Sequence, residues 1–139
     1  MRQIDWLPVL ALLYGAASLL HHVHNAIYLH DYPNLPASVS IAKVCLAWSA
    51  TALVGLVGYL LSHRRHATAG LLLLTVFAAL GLFGLAHYHL APITDHTFAM
   101  NATIGFEVAT ASALLVVVLR RLAGRPAVRR DALRRASDR

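Results

Sequence analysis

Apolar residues fill four long stretches, at about 6–29, 38–61, 67–90 and 96–122, and each approaches or exceeds the roughly 20 residues that cross a bilayer as a helix. The segments between them, DYPNLP at 31–36, SHRRH at 62–66 and APITD at 91–95, are rich in proline, asparagine, aspartate and charge, as turns are. Connectors this short bring consecutive helices side by side in opposite directions. The pattern therefore predicts an all-α integral membrane protein, an antiparallel four-helix bundle of up-down-up-down topology. Residues 1–122 form the membrane domain and 123–139 a basic tail, disordered or an interfacial helix. Arg2, the apolar run after it and the small residues Ala16, Ala17 and Ser18 imitate a signal peptide. The apolar pattern continues beyond them, so a retained first helix is expected.

Composition agrees: 58% of the 139 residues are hydrophobic and 13% charged, too apolar for an ordinary soluble domain. Charge then adds direction. The formal net charge is +6, and the last twenty residues alone, with eight arginines and two aspartates, account for it. Such a tail beside an apolar helix fits anionic lipid better than nucleic acid, which is not expected as a partner. Arg2, Arg64, Arg65 and the tail fall on one side of the predicted bundle, whereas the other two connectors contain no Lys or Arg. Both termini are thus expected in the cytoplasm. Lys43, just inside the second span, is expected to snorkel to the interface or pair with Asp31 or Asp95. Cys45 reads as a small buried residue among apolar neighbours. Gly55 and Gly58, and Gly81 and Gly84, offer small positions where helices can approach closely.

Against this background the polar residues inside the spans stand out, because ionisable groups in hydrocarbon are costly and normally face partners or a wet cavity. His21, His22, His24 and His30 occupy the outer half of the first span, His87 and His89 that of the third, and His96 begins the fourth. Helical spacing aligns Ser18, His21, His24, Asn25 and Tyr28 on one face, with His22 pointing elsewhere. The same spacing aligns His96, Met100, Thr103 and Glu107. A rise of about 1.5 Å per residue puts His21 and Glu107 at a common depth. His87 is assigned inward and His89 to the interface. His63 and His66, in the arginine-bearing connector, are set aside as solvated.

Imidazoles at this spacing with a nearby carboxylate suit zinc, copper or iron. The expected metal ligands are drawn from His21, His24, His87, His96 and Glu107, with Asn25, Tyr28 and Thr103 supporting them. Glu107 is the candidate base for a metal-dependent reaction on a lipophilic substrate. Two alternatives come from other classes: a haem b carried between His24 and His87 for electron transfer, and metal or proton transport or delivery, which would need a homo-oligomer. A bland reading also exists, in which the same residues simply hydrogen-bond across helices.

The segments HHVHN at 21–25, DYPNLP at 31–36, His87-Tyr88 and HTFAMNATIGFE at 96–107 resemble a group of small bacterial four-helix membrane proteins with no assigned activity. The resemblance covers most of residues 15–115 and implies a bacterial inner-membrane location, but no reaction. The HxxxH and HxxHH sets of membrane hydroxylases and desaturases are absent, and the cluster lies on the opposite side, so that assignment is rejected.

Overall fold

A computed structural model describes the backbone of residues 5–137 and the side chains of residues 5–124. The described residues are helical, with no strand among them. Helix α1 runs Trp6–Ile27, α2 Ile41–Ser62, α3 Ala67–Gly81, α4 His87–Leu90 and α5 Phe98–Ser137, with 3-10 turns at Leu29–Asp31, Leu82–Ala86 and Ile93–Asp95. The first two long helices have capped starts. The Asp5 carboxylate accepts the Leu7 N–H at 3.0 Å ahead of α1, and the Ser40 hydroxyl accepts the Lys43 N–H at 3.4 Å ahead of α2.

Four segments are long and apolar enough to cross a membrane: Trp6–Ile27, Ile41–Ser62, Ala67–Leu90 and Phe98–Gly124. They point to a multi-pass membrane protein. Their outward surface agrees, since Leu12, Phe83 and Phe98 are 76%, 71% and 89% exposed, a ring of large apolar side chains that water would penalise and lipid would not.

The core lies where α1, α3 and α5 meet, around Leu7, Tyr14, Leu71, Leu74, Leu114 and Val118. Asp5, before α1, pairs with Arg121 late in α5, while His21 near the other end of α1 meets Thr103 early in α5. The predicted glycine contacts are present. A Cβ at Gly81 would lie 2.5 Å from the Tyr14 ring and 2.6 Å from Ala111, and one at Gly58 would lie 3.0 Å from Leu73 and Leu74. Only Gly55 and Gly58 of α2 are buried, so most of α2 faces outward while those glycines bring it close against α3.

Two expectations change, and one left open between alternatives is decided. The third span is not one continuous α-helix, because the 3-10 turn Leu82–Ala86 interrupts it. Cys45 is exposed rather than buried, on the outer face of α2. Lys43 pairs with neither Asp31 nor Asp95: it is exposed, and its Nζ donates to the Ser38 carbonyl at 2.6 Å, the snorkelled alternative. The backbone of α5 continues as helix through Ser137, while the tail's side chains from residue 125 lie outside those described.

Candidate functional site

The polar stripes of α1 and α5 face each other. Ser18 and His21 are buried on α1, as are Met100 and Glu107 on α5 and His96 just before it. The third contributor, His87, is delivered by the 3-10 turn. Five residues advancing about 120° each rather than 100° rotate the helix face by about 100°, which carries His87 to the bundle interior and leaves His89 exposed.

At the centre is Glu107. His21 Nε2 lies 3.6 Å from its Oε2, and His22 Nδ1 lies 3.8 Å from its Oε1. Both separations exceed a direct hydrogen bond, and the His21–Glu107 separation suits an occupant held by both groups. Thr103 Oγ1 commits its hydrogen to the Met100 carbonyl at 3.0 Å, so it can only accept from His21 Nδ1–H at 3.4 Å. The His21 Nε2 lone pair is therefore free to face inward. It accepts from Asn25 Nδ2 at 3.1 Å, and the same amide nitrogen lies 3.5 Å from His87 Nε2. The Nε2 atoms of His21 and His87 thus both face the Asn25 amide.

These groups line a half-open cavity of about 240 Å³, together with Tyr14, Thr51, Phe83 and Gly84. Water occupies roughly 30 Å³ in the liquid, so this space holds several molecules, or an ion with water. Asn25 Oδ1 is buried at this cavity without a hydrogen-bond partner, and an unsatisfied polar atom beside a void marks a place for a polar occupant. Below the chamber Tyr14 fits against Gly81 and Phe77, and the apolar core seals the arginine-bearing end. The chamber is blind on that side.

The predicted ligands divide into two layers. His21 and Glu107 meet at one depth, and His87, expected at the level of His24, lines the same space with them. His22 belongs with them, contrary to its expected outward direction: its Nδ1–H donates to the Ser18 carbonyl at 2.9 Å, which turns the ring back along α1 toward Glu107. His24 and His96 lie one layer nearer the connectors. His24 Nδ1 shares a hydrogen bond of 2.9 Å with the Tyr32 hydroxyl, and His96 Nδ1–H donates to the Pro92 carbonyl at 3.0 Å, leaving a buried, unpartnered Nε2. Among the described residues no three His, Cys, Asp or Glu side chains are grouped closely enough to hold a metal ion as they stand.

Tyr32, not singled out as a site residue from the sequence, organises the upper layer. Its ring centroid lies 5.9 Å from His24, 4.9 Å from His87 and 6.4 Å from His96. It arrives there because Asn34 adopts a left-handed backbone, φ 55°, that asparagine tolerates, and donates to the Leu90 carbonyl at 2.9 Å. Burial pushes the Tyr32 phenol up to about 12, so it stays protonated. A haem carried between His24 and His87 would require this ring to leave. Asn101 is the second residue that sequence spacing missed: it accepts from the Tyr88 hydroxyl at 2.9 Å and donates to the Ile93 and His96 carbonyls, fixing the turn that presents His96. Tyr28, expected in the stripe, is 46% exposed because α1 ends at Ile27.

No family model, no curated protein and no solved structure matches the chain.

Proposed function

We propose that this chain is an antiparallel four-helix bundle of the bacterial inner membrane, with both termini in the cytoplasm, and that its histidine chamber binds a transition-metal ion. The Asp5–Arg121 and His21–Thr103 contacts support antiparallel packing of α1 and α5, and the one-sided arginines support the orientation. The metal reading rests on one observation. The His21 Nε2 lone pair and Glu107 Oε2 face the same cavity at 3.6 Å, close to the roughly 3.4 Å between neighbouring ligands of a tetrahedral ion with bonds of about 2.1 Å.

The third ligand is His87, whose Nε2 shares the Asn25 amide with His21. Binding then means that the amide swings aside and the ion takes its position between the two imidazoles. His22 does not ligate through Nδ1, which carries the proton given to Ser18; it lies beside the carboxylate instead. An ion so held would polarise a bound water or substrate oxygen next to Glu107. His24 and His96 leave the ligand set for the upper layer.

A second reading, proton exchange at Glu107 without a metal, is favoured by the two flanking imidazoles and by a network that is hydrogen-bonded as it stands. The sealed core below supports exchange with one side only. Titration of purified protein with zinc and copper separates the two. The metal reading expects saturable binding weakened at least tenfold by His87→Ala and by Glu107→Gln but unchanged by His30→Ala. Weak binding that is equally indifferent to all three substitutions sinks it.

A further inference from the structure

Beside the chamber, the seam between α1 and α2 opens into an apolar groove of about 490 Å³, walled by Leu12, Gly15 and Leu19 on one side and by Trp48 and Ala52 on the other, with Phe77 behind. Its residues on α1 run from Pro8 to Leu19, about 16 Å along the helix. At roughly 30 Å³ for a methylene, taken as the size of a water molecule, the volume holds on the order of sixteen. Nothing lies within 4 Å of a Cβ built on Gly15, so the groove is open there.

The groove borders the polar site. Thr51 lines both spaces, and Ser18, 1% exposed, lines the groove between Tyr14 and Glu107 of the chamber. An apolar slot as long as a lipid tail therefore ends on hydroxyls and then on imidazoles and a carboxylate. The polar groups facing an incoming head are mainly acceptors: His21 Nε2, His87 Nε2 and Glu107. No Lys or Arg lines the chamber, and Lys43, which lines a neighbouring cavity, is held on the Ser38 carbonyl at an exposed position. An anionic head would meet Glu107 with no cation to offset it, whereas a neutral hydroxyl donates to these acceptors and accepts from Ser18.

We propose that the α1–α2 seam binds a single-tailed amphiphile with a neutral hydroxyl-bearing head, a long-chain alcohol or phenol, tail along the groove and head at Ser18 and the chamber. The proposal rests on the membrane-spanning reading and not on the metal.

The test uses the full chain in lipid nanodiscs and a sixteen-carbon alcohol bearing a mid-chain diazirine, with crosslinked residues located by peptide mass spectrometry. Saturable labelling of residues 8–19 and 48–56 is expected, displaced by hexadecanol at least tenfold better than by palmitate or hexadecyltrimethylammonium. Gly15→Leu, placed where a side chain meets open space, should lower labelling at least tenfold with helicity unchanged, and Ala52→Leu provides the same test from the other wall. Labelling spread evenly around the bundle, equal displacement by palmitate, or labelling indifferent to both substitutions overturns the proposal. Bound metal measured on the same samples separates the two readings, since loss of either property leaves the other to be read directly.

Discussion

Replacing Gly81 by alanine tests the packing that forms the chamber floor. The new methyl would sit 2.5 Å from the Tyr14 ring and 2.6 Å from Ala111 Cβ, where ordinary contact begins at 3.4 Å. Helix α3 must therefore withdraw by about 1 Å from both α1 and α5, or Tyr14 must leave its place against Phe77. Overpacking of this kind costs about 1–3 kcal/mol. The change also removes a helical glycine, which by itself stabilises by up to about 1 kcal/mol, so the control is Gly105→Ala, where a Cβ meets nothing within 4 Å. Propensity cancels between the two variants. Unfolding in mixed micelles by rising dodecyl sulfate, followed by far-ultraviolet circular dichroism, should place Gly81→Ala about 1–3 kcal/mol below Gly105→Ala. Equal stabilities, or a more stable Gly81→Ala, would refute the close approach of α3 to Tyr14 and Ala111.

Further outcomes follow from the site and its surroundings. Asn25→Ala removes the amide between the His21 and His87 lone pairs, so metal affinity should rise; a tenfold fall in a zinc titration would show that Asn25 supports the ligands instead. Tyr32→Phe should delete a tyrosinate transition near pH 12 from the 295 nm absorbance titration. Because burial raises that phenol from about 10, its contribution to stability is complete below pH 10 and is lost as pH rises towards 12, so a transition at 10 would contradict its burial. The Leu7 N–H, and then Arg121, hold the Asp5 carboxyl below its usual range, so any stability they confer is present at neutral pH and lost as pH falls through the lowered value. Asp5→Asn, which keeps a capping side chain, should reduce that acid dependence with little change at neutral pH, as read by acid titration of the circular dichroism. In a Cys45→Ala background, Asn34→Cys and Thr94→Cys should react with an impermeant maleimide on intact cells and Arg64→Cys should not; the opposite pattern would reverse the orientation.

Much of the bundle was legible because the strongest sequence signal, length of apolar run, depends on solvent rather than on tertiary detail. The meeting of His21 with Glu107 was legible for a related reason: two straight helices of known rise place residues at calculable depths. Angular position was harder. His22 was misplaced because helical spacing describes the Cα direction, whereas its ring is turned back by a bond to the Ser18 carbonyl. The inward direction of His87 depends on a 3-10 turn that Gly81 and Gly84 hint at but do not require. Tyr32 was missed because it enters the bundle from a connector, where no periodicity applies; the one clue was asparagine between two prolines at 33–36. Cys45 was misread because apolar neighbours in a membrane helix face lipid as readily as core.

Metal content tests the central claim most directly. Protein carrying no histidine tag and purified without chelator should retain close to one transition-metal ion per chain by elemental analysis. A His21→Ala, His87→Ala double variant with unchanged helicity should retain essentially none. A folded wild type without an ion, or a double variant that holds as much metal as the wild type, would contradict the assignment of the chamber as a metal site.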